Sequence, residues 1–149
     1  MAQPRAWNGR HLSALGICLS LSAALQGSPV AFVPVTQFTL AWTHSIEKVR
    51  WEEDYAVGLD PLSLQPLLHA VQARVRGSAA GMEPPPDAVL RQGWYHYTPT
   101  ITTPPELRLT RSEFTPDYEV CVQGRCQPLS GWMAPDGGVT LLKPCLKPV

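Results

Sequence analysis

The clearest strand pattern in the chain is Phe38-Thr39-Leu40-Ala41-Trp42-Thr43-His44, in which large apolar residues alternate with small or polar ones. Successive side chains of a strand point to opposite faces, so Phe38, Leu40 and Trp42 share one face, and His44 ends that face where a loop begins. We therefore predict a core strand here, with His44 at the rim of the core.

Further stretches with strand character follow at short intervals. Leu107–Arg111 alternates as a half-buried strand, whereas Leu67–Arg76 fits both helical and strand spacing. Pro is frequent, at 16 of 149 residues, about twice its average share, which favours short strands joined by Pro-broken loops. We predict a mainly β fold, a single small β-sandwich or partly open barrel, with helix only in short turns and in the N-terminal segment.

The N-terminal segment has the layout of a secretory signal. Arg5 and Arg10 precede an uncharged apolar run, Leu12–Leu25, which is shorter than the about 20 residues that span a membrane. We predict that residues 1–24 are a signal peptide cleaved near Ala24, with an uncleaved anchor as the alternative. The predicted location is the bacterial periplasm, with membrane contact only through this segment if it stays uncleaved.

The remaining residues, 25–149, are predicted to form one β-rich domain. Twelve basic residues balance twelve acidic ones, so no electrostatic patch favours nucleic acid, and we predict no nucleic-acid partner. No cofactor motif is present either, and no cofactor is predicted.

Two cysteines lie on either side of a predicted tight turn. Gln123-Gly124 fits a two-residue hairpin turn, which places Cys121 opposite Cys126 at a separation suited to a disulfide. A zinc site is the competing interpretation, but one such spacing without a second pair of ligands is poor zinc geometry, and no metal site is predicted. Cys145 is left without a partner if Cys18 leaves with the signal.

The densest polar cluster runs from Thr43 to Asp54. His44 beside Glu47, Glu52 and Glu53 could ligate a metal or act as a general base, but only if a loop brings these groups together. The competing interpretation is a solvated loop with ordinary surface ion pairs.

Three blocks of sequence, taken together, resemble one protein family. They are Trp42–Lys48 with Trp51–Asp54, then Gly77–Pro85, and then Arg91–Trp94, and they resemble the domain-of-unknown-function 1850 family of small exported bacterial proteins. No activity is established for that family. Its genes commonly lie beside those of TRAP-type transporters of the TAXI class, so the resemblance implies an accessory role in solute uptake. It also implies that Leu68–Arg76 is a strand. The loops His44–Asp54 and Gly77–Glu83 are implied to form a common site.

Two functions from different classes follow. The first is a non-enzymatic periplasmic module that binds a small solute or a TRAP-type transporter component. The second is a periplasmic hydrolase or metal-dependent enzyme that uses His44 with Glu47, Glu52 or Glu53, and a purely structural role of the motif is a third possibility. The candidate binding residues are His44, Ser45, Glu47, Lys48, Glu52, Glu53, Gly81, Glu83 and Trp94.

Overall fold

The structure, a computed structural model, describes residues 13–22, 31–44, 48–77 and 85–148. In these ranges the chain forms strands and one short 3-10 turn, Leu129–Gly131. The strands are β1 (Ser13–Leu21), β2 (Ala31–Val33), β3 (Gln37–Thr43), β4 (Arg50–Leu59), β5 (Pro66–Arg76), β6 (Val89–Arg91), β7 (Trp94–Tyr97), β8 (Leu107–Thr110), β9 (Glu119–Val122), β10 (Arg125–Pro128) and β11 (Val139–Pro148).

The strands form two antiparallel sheets. The smaller sheet has the order β2-β1-β11-β8, and the larger has the order β10-β9-β3-β4-β5-β7-β6. The two sheets do not close into a barrel, so the predicted mainly β fold is confirmed in its sandwich form. None of the described residues belongs to a helix long and apolar enough to cross a membrane.

The core lies between the facing sides of the two sheets. From the larger sheet, Phe38 of β3 stacks on Tyr55 of β4 with ring centroids 5.4 Å apart, and Leu40 is 2% exposed. From the smaller sheet, Ile17 and Leu142 are fully buried. Burying one such side chain contributes about 1.5–3 kcal/mol to the free energy of folding. The apolar residues whose alternation predicts β3 therefore also stabilise it.

The charged stretch that ends at Asp54 is mostly strand, which corrects the expectation of a long polar loop. β4 begins at Arg50, and the connection from β3 is reduced to residues 44–49. Arg50, Glu52 and Asp54 alternate with inward-facing residues and lie on the outer face of the sheet. Arg74 of the neighbouring strand β5 pairs with Glu52 and Asp54, and Arg50 of β4 itself pairs with Glu52. These pairs compensate the charge on the outer face of β4.

The ambiguous stretch before Arg76 is a strand, as the family resemblance implies. β5 pairs with β4 on one side and with β7 on the other. Its register to β4 shifts at Val71, which has no partner and is 54% exposed. This bulge keeps Leu68 and Ala73 on the core side although their separation is odd.

The N-terminal apolar run contains strand rather than the predicted helix. β1 pairs with β11 over nine residues and with β2 over three. The run alternates large aliphatic and small residues, which suits one buried face of a sheet. Cleavage near Ala24 stays a prediction.

Both disulfides of the structure join strands. Cys121 and Cys126 are bonded in the register that the turn predicts, with Cα atoms 3.9 Å apart. Cys145, which the sequence leaves without a partner, is bonded to Cys18 of β1. Two disulfides indicate that the protein folds in an oxidising compartment.

Candidate functional site

A cavity of about 340 Å³ opens where the rim of the larger sheet meets the segment after β8. We call it the His44 pocket. It is lined by Trp42, Thr43, His44, Thr110, Arg111, Ser112, Thr115, Pro116, Asp117 and Tyr118. Small-molecule sites usually have volumes of about 300–1,000 Å³, so this pocket is the size of a small solute.

His44 enters the pocket because the loop after β3 holds its backbone. The His44 N–H donates to the Val49 carbonyl, and the His44 carbonyl accepts the Lys48 N–H, both at 2.9 Å. These bonds close the turn between β3 and β4, and His44 continues the face that carries Trp42. His44 is half-buried and lines the pocket directly after β3.

The floor of the pocket contains a buried ion pair. The Arg111 side chain is 1% exposed, and its Nε and Nη2 donate to the two Asp117 carboxylate oxygens, each at 3.0 Å. Arg111 also donates to the Thr140 hydroxyl at 3.2 Å and to the Met133 carbonyl at 2.8 Å. Arg111 thus connects the segment after β8 with β11, through Thr140, and with the residues after the 3-10 turn, through Met133.

Asp117 has no acceptor position left for a ligand. Besides the two bonds from Arg111, its oxygens accept the backbone N–H groups of Tyr118 at 2.9 Å and Ser130 at 2.8 Å. A carboxylate offers about four such positions. The charge of Asp117 is therefore fully engaged by the protein.

Aromatic rings form one wall of the pocket and extend beyond it. Tyr118, Trp42, Trp51 and Tyr97 form a row with successive ring centroids 6.0, 6.0 and 6.4 Å apart. Trp42 and Trp51 face each other because they are paired across β3 and β4. Of these four rings, those of Trp42 and Tyr118 line the pocket and give it an apolar wall.

Glu52 lies on the opposite face of the sheet in a network of ion pairs. Its two oxygens bind Arg50 at 2.9 Å and Arg74 at 2.7 Å. Arg50 also binds Glu119 at 2.9 Å, and Arg74 binds Asp54 at 2.9 Å. Burial alone would raise the pKa of Glu52, but the hydrogen bonds and charges of the two arginines hold it below its ordinary value.

Glu53, the next residue, faces the core side and has the opposite environment. Burial raises its pKa, and a hydrogen bond from the Tyr55 phenol offsets only part of this effect. Burial first, and then the Glu53 charge, raises the pKa of Tyr97 to about 12 and also raises that of Tyr118. Glu53 therefore lies under the aromatic row, where its ionised form is disfavoured.

These two neighbouring carboxyl groups predict opposite effects of pH on stability. The lowered pKa of Glu52 stabilises the fold above the unfolded-state pKa, near 4.5, and this contribution disappears as the pH falls through the folded-state value. The raised pKa of Glu53 has the reverse sign, because stability is lost as the pH rises from about 4.5 through the folded-state value.

We expect Glu52→Gln to lower the melting temperature at pH 7 and Glu53→Gln to raise it. Both differences should shrink at the acidic end of a series of thermal melts from pH 3 to pH 8. Equal decreases of the melting temperature in both variants, independent of pH, would show that the environments of Glu52 and Glu53 are assigned wrongly.

The other predicted site residues lie apart from the His44 pocket or outside the described ranges. Lys48 is exposed, with a left-handed φ of 58°. Trp94 lies on the outer face of the larger sheet, where the Arg76 guanidinium is 5.4 Å from its ring centroid. Four candidates lie outside the described residues: Ser45, Glu47, Gly81 and Glu83.

Arg111, Asp117 and Tyr118 line the pocket but are not among the site residues predicted from the sequence. A signal for the first was present, because Leu107, Leu109 and Arg111 share one face of the alternating stretch that ends at Arg111. A charged residue at a core-facing position needs a buried partner. No comparable pattern identifies Asp117, which is brought to Arg111 by a bend in the chain.

An enzyme of the predicted kind needs His44 and at least two carboxylates around one cavity. The His44 pocket has Asp117 as its carboxylate, whereas Glu52 and Glu53 point to opposite faces of β4. Across the described ranges no three His, Cys, Asp or Glu side chains are grouped closely enough to hold a metal ion. Among the described residues, neither Glu52 nor Glu53 joins His44 at this pocket.

Fold and site together define a small disulfide-bonded β-sandwich with a solute-sized pocket at the rim of its larger sheet. A family model described as a domain of unknown function, DUF1850, matches residues 38–129. This range is more than half of the chain and extends from the second residue of β3 to beyond the end of β10, so the protein belongs to the DUF1850 family. No curated protein and no solved structure matches it.

Proposed function

We propose that this protein is a periplasmic binding module that holds a small carboxylate-bearing solute in the His44 pocket. The observation that carries the proposal is that a buried arginine, Arg111, lines a solute-sized cavity. The carboxylate in the same cavity, that of Asp117, already has its acceptor positions filled by the protein. A ligand entering such a cavity meets hydrogen-bond donors rather than an unsatisfied negative charge.

Arg111 and the hydroxyl groups are the donors that remain. Arg111 has five N–H groups, and four of them have partners among the described residues. The Ser112 hydroxyl accepts the Phe114 N–H at 2.9 Å, which leaves its own hydrogen to donate. Thr43, Thr110 and Thr115 add three more hydroxyl groups to the lining. A carboxylate is the common solute group that accepts several such bonds at once.

The aromatic wall indicates the chemistry of the part of the ligand next to its carboxylate. Trp42 and Tyr118 line the cavity with ring faces that favour an apolar or planar body next to the carboxylate. The volume of about 340 Å³ suits a small organic acid.

The family resemblance supports a place for this binding in solute uptake. Because related genes accompany TRAP-type transporters of the TAXI class, we propose that the module acts beside such a transporter, on the periplasmic side. The two disulfides support an oxidising location of this kind. The proposed partner is a component of that transporter, and co-elution of the two purified proteins with and without solute tests it.

Thermal melts with small acids test the binding. Acetate, succinate and benzoate are compared with acetamide, succinamide and benzamide, which have similar shapes but no charge. At about 100 times its dissociation constant a ligand adds about 2.7 kcal/mol to the free energy of unfolding, which raises the melting temperature by several degrees. We expect at least one acid, and none of the amides, to do so.

His44→Ala should weaken that binding at least tenfold while leaving the melting temperature without ligand within a few degrees. His69→Ala is the matched control, because His69 is an exposed histidine of β5 outside the pocket. The proposal fails if no acid shifts the melting temperature at millimolar concentration, or if the two histidine variants bind equally well.

A further inference from the structure

We propose that residues 13–21 remain in the mature protein as β1, a permanent core strand held to β11 by the Cys18–Cys145 disulfide. This segment has the composition of a secretory signal, and cleavage near Ala24 would remove it. The inference rests on β1 and its neighbours and is independent of the solute proposal.

The first argument is the pattern of side chains along β1. Leu15, Ile17, Leu19 and Leu21 alternate with Ala14, Gly16, Cys18 and Ser20. Ile17 and Leu19 are fully buried, and the other two leucines pack on the same cluster. A signal sequence needs only apolar character, whereas a period of two with the large residues on one side is a property of a half-buried strand.

The second argument is the close packing at Gly16. A Cβ atom at this position would lie 2.3 Å from the Val33 carbonyl oxygen and 2.7 Å from the Phe32 ring. Both neighbours belong to β2, so the ring of Phe32 lies on the small-residue face of β1. Such a fit tolerates no side chain and is specific to this pair of strands.

The third argument is what β1 does for the strands beside it. β1 separates β2 from β11 in the smaller sheet and provides the paired neighbour of β2 there. Without β1, the backbone groups of β11 that pair with it would lose their partners, and buried Leu142 would lose part of its cover. The smaller sheet therefore needs a strand in this position.

The fourth argument is the disulfide. Cys18 and Cys145 are directly bonded, with Cα atoms 5.9 Å apart, a separation typical of disulfides. The bond requires Cys18 to reach the same oxidising compartment as Cys145 and to stay there. It also gives Cys145 the partner that a protein cleaved near Ala24 would lack.

Mass analysis of the mature protein tests the proposal directly. The full chain is exported to the periplasm of the host cell and purified without reductant. It is then alkylated, and its N-terminal residue is determined. We expect residues 13–21 to be present, and a non-reduced digest to contain a linked peptide pair with Cys18 and Cys145. A first residue within or after β1, with Cys145 alkylated as a free thiol, overturns the proposal.

A pair of glycine variants tests the packing independently of processing. Gly16→Ala places a methyl group against β2, whereas a Cβ on Gly58 of β4 would have no neighbour within 4 Å. We expect Gly16→Ala to lower the melting temperature by about 3–10 °C and Gly58→Ala to change it much less. Equal effects of the two substitutions would overturn the assignment of β1 as a core strand.

Discussion

Replacing Cys18 and Cys145 together by alanine is expected to lower the free energy of unfolding by about 4 kcal/mol. The two cysteines are 127 residues apart, so their bond closes nearly the whole chain into one loop and restricts the unfolded state strongly. For a domain of this size such a loss lowers the melting temperature by about 10 °C or more.

The second disulfide provides the matched control. Cys121 and Cys126 are only five residues apart, so the same double replacement there should cost about 2 kcal/mol. Chemical denaturation of both double variants under non-reducing conditions gives the comparison. A larger loss from the short loop would mean that native-state contacts, and not loop length, decide the contribution of these bonds.

Replacing Arg111 by alanine is expected to cost about 3–5 kcal/mol. The substitution leaves Asp117 partly buried without its counter-charge, and removing one partner from a buried ion pair is far more costly than removing both. It also leaves the Met133 carbonyl without the bond from Arg111. Denaturant unfolding measures the loss.

Arg108→Ala is the control for this variant, because Arg108 is an exposed arginine of β8, the strand that ends just before Arg111. It should change stability by less than about 0.5 kcal/mol. Adding Asp117→Asn to Arg111→Ala should recover part of the loss, because the unpaired charge is then removed. If the double variant is less stable by the full sum of the single losses, the pair is not coupled as its geometry indicates.

Local patterns predict three strands of the larger sheet, β3, β9 and β10. The alternation of β3 and the two-residue turn at Gln123-Gly124 each fix which side chains face inward, and a disulfide register follows from the second. Both patterns involve neighbours in sequence. For such elements periodicity and turn chemistry contain the information needed.

Long-range pairing explains what the sequence does not reveal. β4 has a charged face because Arg74 of β5 and Glu119 of β9 supply its counter-charges, and neither is near it in sequence. The His44 pocket likewise takes Arg111 and Tyr118 from a distant segment. Sequence patterns predict that these residues are polar or aromatic, but not which of them meet.

β1 shows a different difficulty, since two interpretations fit the same residues. An apolar run after arginines is typical of a secretory signal, and the alternation from Ala14 to Leu21 is typical of a strand. The period of two is the feature that distinguishes them, and Gly16 and Cys18 stand on its small-residue side. Measuring alternation within apolar N-terminal runs would detect similar strands elsewhere.

The pairing of β1 with β11 also limits when the molecule can fold. β1 and β11 are the first and last strands in chain order, and β11 contributes the nine residues to which β1 binds. During synthesis or threading through a membrane pore, β1 emerges long before its partner exists. The smaller sheet cannot assemble until residues 139–148 are free, because the contacts that hold it are the most distant in the chain.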